Sequence, residues 1–125
     1  MTHSLTIIVP VYNEEDNLLR VQKELQNYID SCTISTSVLF VNDGSKDSSL
    51  QVMRTICKES DAFHYVTFDR NYGLSAAIKA GFDYAQTTLV GYIDSDLQTS
   101  PQDFDLLLAE IGDYDLVTGV RSNRK

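Results

Sequence analysis

Four times along this chain, a short apolar run rich in β-branched residues gives way to a stretch whose apolar positions recur every three or four residues. Strands alternating with amphipathic helices are βαβ units, which lay parallel strands into one sheet through right-handed crossovers and cover it with helices on both faces. Residues 5–11 (LTIIVPV) are almost continuously apolar, as a central strand buried on both faces must be, with Pro10 near its end. From Glu14 onward, Leu18, Val21, Leu25, Tyr28 and Cys32 mark an amphipathic helix. The second unit is a strand at 38–42, the turn Asp43-Gly44-Ser45, and a helix with Leu50, Met53, Ile56 and Cys57 on its apolar face. A third strand is expected at 63–68. After the loop 69–73 comes a helix whose Leu74, Ala77, Ile78, Gly81, Phe82 and Ala85 give it a small-residue face for close packing. Residues 89–93 form the fourth strand. Ser100 and Pro101 then read as a helix N-cap and first-turn proline, followed by Phe104, Leu107, Leu108 and Ile111, and 115–120 as a fifth strand.

The length of 125 residues fits one domain, and 42% hydrophobic against 22% charged residues is an ordinary globular balance. The formal charge is -8. Such a surface does not condense onto nucleic acid or anionic lipid by neutralising phosphates, so no nucleic-acid partner is expected. An acidic protein that handles phosphates needs a divalent cation. Cys32 and Cys57 lack a CxxC or His/Cys context and read as reduced, buried thiols. No stretch approaches the roughly 18 apolar residues of a membrane span, and the N-terminus lacks the basic and apolar regions of a secretory signal, so a cytoplasmic location is expected.

In open α/β sheets ligands bind beyond the carboxyl ends of the strands. The segments there are Tyr12-Asn13-Glu14, Asp43-Gly44-Ser45, Asp69-Arg70-Asn71, Asp94-Ser95-Asp96, and Arg121. Asp94 and Asp96 stand two apart on an extended segment, so both carboxylates reach the same side and suit Mg2+ or Mn2+, which complete their shells with water and phosphate oxygens. An isolated Asp-x-Asp is equally a turn or a cap. Asp43 is either a turn residue or an acceptor for a nucleobase edge; Glu14 either favours a helix N-terminus or, with Tyr12 stacked on a base, fixes its orientation. Arg70 and Arg121 are either solvated or paired with phosphate oxygens. Neither a GxxxxGK[ST] loop nor a GxGxxG after the first strand is present, and His3 and His64 lack a nucleophile context.

Taken together, these segments resemble the family 2 glycosyltransferases of the GT-A fold, particularly the dolichyl-phosphate mannosyltransferases and the bacterial polyprenyl-phosphate (bactoprenol) glucosyltransferases. Residues 8–15 (IVPVYNEE) match the opening VPVYNE signature, 40–47 (FVNDGSKD) the VDDGSxD turn, and Arg70-Asn71-Tyr72-Gly73 with Ala76-Ala77 and Ala80-Gly81 the RNxGxxAAxxAG segment. Residues 94–98 (DSDLQ) look like the DxDLQ metal motif and 117–121 (VTGVR) like the VxGxR strand. The resemblance implies that Pro10, Tyr12, Glu14, Val41 and Asp43 hold the base and ribose, with Asp43 as the base contact. It places Asp94, Ser95 and Asp96 around the metal and sugar diphosphate, Gln98 in the metal's shell, and Arg121 near sugar or phosphates; Arg70 joins the nucleotide-sugar contacts from its position at the edge. Asn42 departs from the family's first Asp, and Thr99-Ser100 from its usual Asp-Pro.

The implied chemistry is an inverting displacement at the anomeric carbon of a UDP- or GDP-hexose. A lipid-phosphate acceptor is already an anion, whereas a hydroxyl would need a base. Family members continue past the VxGxR strand into an acceptor-binding half and, in the lipid-phosphate branch, into membrane helices. Residues 1–125 are therefore expected to be the nucleotide-sugar-binding portion of a longer enzyme on the cytoplasmic face of a membrane, a GT-A sheet cut after about five strands. Two alternatives stand beside it: a nucleotide-sugar-binding or dimerising module without turnover, and a nucleotidyltransferase. An uncovered sheet edge would favour a homodimer.

Overall fold

The structure, a computed structural model, describes residues 4–93. Its elements alternate as expected: β1 (Ser4–Val11), α1 (Leu18–Ser31), β2 (Ser35–Asn42), α2 (Ser49–Glu59), β3 (Phe63–Thr67), α3 (Leu74–Tyr84) and β4 (Leu89–Tyr92). The four strands form one sheet in the order β3-β2-β1-β4, and every pairing is parallel. The chain steps outward from β1 through β2 to β3, then returns to lay β4 on the other side of β1. The strand order thus reverses beside β1, which is where open α/β sheets leave a crevice at their carboxyl edge. The helix expected from Ser100 and the strand at 115–120 lie outside the described residues.

Alternation along the strands divides the core into two. Leu5, Ile7, Val9 and Val11 of β1 join Val38, Phe40 and Phe63 on the face covered by α1 and α2, which contribute Leu18, Val21, Leu25, Tyr28, Met53 and Ile56. Ile8, Leu39 and Val41 face the other way, against Ala77 of α3. Strands buried on both faces require apolar residues at consecutive positions, which is why the β1 sequence shows no polar alternation. The small-residue face of α3 has a steric reason: a Cβ on Gly81 would stand 2.6 Å from Ile8 Cγ2 and 2.7 Å from its Cδ1. Glycine lets the helix approach the sheet closely.

Pro10 occupies the penultimate position of a central strand without breaking the ladder. The carbonyl of Ile8 points to β4, where it accepts the Ile93 amide at 3.0 Å. Pro10, two residues further, turns its donor-less nitrogen to the same side, past the last β1–β4 pair, Ile8 with Tyr92.

Two boundaries differ from the sequence expectation by more than a residue or two. The first helix begins at Leu18 rather than Glu14, because the Glu14 carbonyl accepts the amides of Asn17 at 2.9 Å and Leu18 at 3.2 Å in a separate turn, and Asn13 has φ 55. That left-handed value is incompatible with a helix and is tolerated by asparagine better than by most residues. β2 starts at Ser35, earlier than the apolar run suggests, because the whole of β1 from Ser4 finds a register partner there. Cys32 caps α1 and, like Cys57, packs partly buried against the α1–α2 core as a free thiol. Burial pushes the Cys57 thiol up to about 11, so it stays protonated and inert at neutral pH. No helix among the described residues is long and apolar enough to cross a membrane.

Candidate functional site

Parallel strands deliver their following loops to one edge of the sheet, so residues 12–17, 43–48 and 68–73 meet there. The first two loops are sewn together by reciprocal hydrogen bonds. The Asn13 amide donates to Ser45 Oγ at 2.9 Å, while Asn13 Oδ1 accepts the Lys46 amide at 2.8 Å. Glu14 N donates to Ser49 Oγ at 2.9 Å, and Ser48 N to Glu15 Oε1 at 2.7 Å. Asp47 accepts from Ser49 N at 2.9 Å and from Glu15 N at 3.2 Å. Burial pushes the Asp47 carboxyl up, but hydrogen bonds from Ser49 and the Glu15 amide outweigh it and hold the group below its ordinary value.

Asn42, where the resemblance leads one to expect aspartate, is buried and uses both ends of its amide. Its Nδ2 donates to Thr67 Oγ1 at 2.9 Å and its Oδ1 accepts the Ser45 amide at 3.0 Å. It ties the end of β2 to β3 and shapes the turn that carries Asp43.

Asp43 is the centre of the edge. It is only 4% exposed. Its amide donates to Val11 O at 2.8 Å, which binds it to the end of β1. Its carboxylate is held by the loop before α3: Oδ1 accepts the Tyr72 amide at 2.7 Å, and Oδ2 accepts the Gly73 amide and Asn71 Nδ2, both at 3.0 Å. A carboxylate facing amides at the start of a helix is favoured by the helix dipole as well as by the bonds themselves. Gly44 makes this contact sterically possible, with φ +70 and no Cβ; one built there would stand 2.2 Å from the Arg70 carbonyl carbon and 2.4 Å from Asn71 N.

Around Asp43 the remaining site residues fall into two sets. Tyr12, 42% exposed, and Arg70 present themselves to solvent. Arg70 Nε donates to Tyr72 Oη at 3.1 Å, its guanidinium carbon lies 5.3 Å from the Tyr72 ring centre, and Tyr72 Oη donates to Asp69 Oδ1 at 2.9 Å. Among the described residues Arg70 makes no ion pair, so its charge is available to an anion. Glu14 is half-buried, its Oε1 accepting Asn17 Nδ2 at 2.8 Å. Pro10 and Val41 are register partners at the ends of β1 and β2, and the Val41 side chain is fully buried towards α3. Asp94, Ser95, Asp96, Gln98 and Arg121 lie outside the described residues. Among the described residues no group of three or more His, Cys, Asp or Glu side chains could hold a metal.

The sequence places Asn71 in the edge segment Asp69-Arg70-Asn71 and Tyr72 in the RNxG segment but assigns neither a role. Among the described residues, a concavity of about 290 Å³ lies at the opposite end of the α3 face and is lined by Thr6, Ser37, His64, Tyr84, Gln86 and Thr87, among others. It gathers hydroxyl, amide and imidazole groups but no carboxylate or guanidinium for a sugar diphosphate and its cation.

Comparison with known proteins bears on the family and the fold. The family model described as glycosyl transferase family 2 matches residues 6–125. An uncharacterized glycosyltransferase, sll0501, of Synechocystis sp. is 37% identical over 130 residues, covering 100% of this chain and 40% of the relative. The undecaprenyl-phosphate 4-deoxy-4-formamido-L-arabinose transferase of Pseudomonas fluorescens is 36% identical, over 98% of this chain and 37% of its own. The chain thus spans about two fifths of the length of these curated relatives. Among solved structures, the mannosyltransferase PcManGT from Pyrobaculum calidifontis, in complex with GDP-Man and Mn2+, superposes with TM-score 0.69 at 21% identity, over 77% of this chain and 28% of that one. S. aureus TarS 1-349 gives TM-score 0.64 at 22% identity, over 87% and 32%. At these identities the likeness is one of fold, and it places the sheet in the GT-A class.

Proposed function

This chain belongs to glycosyl transferase family 2, and on that premise we propose that residues 1–125 form the nucleotide-sugar-binding portion of an enzyme transferring a hexose from a UDP- or GDP-sugar to a polyprenyl phosphate. The observation that carries the reading is the welded carboxyl edge. The loops after β1, β2 and β3 meet beside the reversal of strand order, the third of them holds buried Asp43, and Tyr12 and Arg70 turn outward where a base and a diphosphate would lie. A relative named as an undecaprenyl-phosphate transferase supports the lipid-phosphate acceptor. The share of the relatives' length supports an acceptor-binding half elsewhere in a longer protein.

In this reading Tyr12 stacks on the base, Asp43 and Glu14 fix base and ribose, and Arg70 pairs with diphosphate oxygens. An acceptor phosphate oxygen attacks the anomeric carbon as the bond from that carbon to the diphosphate breaks, and the anionic acceptor needs no general base. Asp94, Asp96 and Gln98 would hold Mg2+ or Mn2+; such an ion neutralises diphosphate charge when bound. A relative fold holding GDP-Man and Mn2+ supports that choice of ion.

Calorimetric titration with UDP and GDP, with and without Mn2+, tests the reading. Binding of one nucleotide is expected to depend on the metal and to weaken by about tenfold or more in Asp96→Ala. Failure of both nucleotides to bind under every condition would remove the donor site from this chain. Preference for a nucleoside triphosphate over any nucleotide sugar would favour a nucleotidyltransferase instead. Binding without transfer would mark this chain as a binding module.

A further inference from the structure

A buried carboxylate is costly unless its oxygens are satisfied, and the way Asp43 is satisfied gives a neighbouring residue a specific task. Two of its three carboxylate donors are backbone amides, those of Tyr72 and Gly73, supplied by the loop's backbone rather than by a side chain. The third is a side chain, Asn71. Its Nδ2 makes two bonds to the same residue, one to the Asp43 carbonyl oxygen at 3.2 Å and one to Oδ2 at 3.0 Å. One amide group therefore bridges the backbone carbonyl and the side chain of Asp43. The same residue joins Arg70, a cation of the edge, to Tyr72, whose hydroxyl accepts the Arg70 Nε–H. A shift of Asn71 moves all three.

We propose that Asn71 is a positioning residue for the nucleotide site: it sets nucleotide affinity by clamping Asp43 and the Arg70–Tyr72 pair in one arrangement, without itself touching the ligand. The proposal rests on the reading of this edge as the donor site. Asn71 is exposed and outside both apolar cores, so its replacement tests the clamp rather than the fold. Asn71→Ala removes the donors. Asn71→Asp keeps the shape but sets one carboxylate against another, which is unfavourable at hydrogen-bond distance. Asn71→Gln restores an amide.

The test pairs nucleotide titration with amide hydrogen exchange on the labelled chain. Asn71→Asp is expected to weaken UDP or GDP binding by about tenfold or more and Asn71→Ala by less, with Asn71→Gln recovering most of the alanine loss. Exchange at the Tyr72 and Gly73 amides should accelerate in the aspartate variant while amides of β1 and β2, such as Ile8 and Phe40, stay protected. Wild-type affinity in Asn71→Asp overturns the proposal, and so does faster exchange at 72 and 73 with affinity unchanged, which would make Asn71 a scaffold residue only. A wild-type chain that binds neither nucleotide removes the donor-site reading and the proposal with it. Normal wild-type binding with an indifferent Asn71→Asp removes the proposal alone.

Discussion

Gly44→Ala is expected to lower the thermal midpoint of this domain by about 10 °C and to abolish measurable nucleotide binding. Two costs add at this position. A left-handed backbone is worth roughly 1–2 kcal/mol against an L-residue with a Cβ, and φ at Gly44 is +70. The larger cost is steric. The new methyl would stand 2.2 Å from the Arg70 carbonyl carbon, 2.4 Å from Asn71 N and 2.6 Å from Arg70 Cα, all backbone atoms that no rotamer change can move aside. The β2 turn and the loop before α3 must then separate, which breaks the bonds that Asp43 makes across the gap. Overpacking of this kind costs about 1–3 kcal/mol, and roughly 3 kcal/mol in total corresponds to about 10 °C for a domain near this size. Circular-dichroism melting checks it; a midpoint within about 2 °C of wild type would mean that the two loops are not in contact.

Asp43→Ala is expected to be the most damaging change at a candidate ligand contact, and to act on fold and binding together. Truncation strips the acceptor from the amides of Tyr72 and Gly73 and from the Asn71 side chain. Losing a charged acceptor and leaving partly buried donors unpaired costs about 2–4 kcal/mol in total. Nucleotide affinity should fall about a hundredfold or more, because the proposed base contact and the arrangement of Arg70 go together. The stability effect is the discriminating part. A carboxylate held only for a ligand imposes a desolvation cost on the free protein, so its removal would leave stability unchanged or raise it. A melting midpoint that rises in Asp43→Ala would contradict the inward role described for this carboxylate.

The fold was legible where burial dictates residue type. The uninterrupted apolar run of β1 reports a strand covered on both faces, and the spacing of Leu18, Val21, Leu25 and Tyr28 reports the helix stripe that covers one of them. The small face of α3 was visible as Ala77 and Gly81. The start of α1 was not, because residues 14–17 make a turn that ends in a true helix, and a few residues of turn and helix share one spacing. At the site, the loops that the α/β topology places at one sheet edge do lie side by side among the described residues, and they carry Tyr12, Glu14, Asp43 and Arg70. What each does there could not be read in advance. Asp43 reaches Asn71, Tyr72 and Gly73 across nearly thirty positions of sequence, and Asn13 reaches Ser45 across a similar distance. Such bonds leave no periodic signature. Asp-Gly looks like an ordinary surface turn until the loop it faces is in place, and Asn42 looks like a departure from a motif until Thr67 and Ser45 are seen to use both ends of its amide.

A nucleotide is expected to bind at the carboxyl edge of this sheet. Titrating UDP and GDP, each with Mn2+, into the 15N-labelled chain and mapping the amide shifts tests it directly. The largest changes are expected at Tyr12–Glu14, Asp43–Ser45 and Asp69–Gly73, with Thr6, Ser37, Gln86 and Thr87 around the opposite cavity unaffected. Shifts confined to that cavity, or none with either nucleotide, would contradict it.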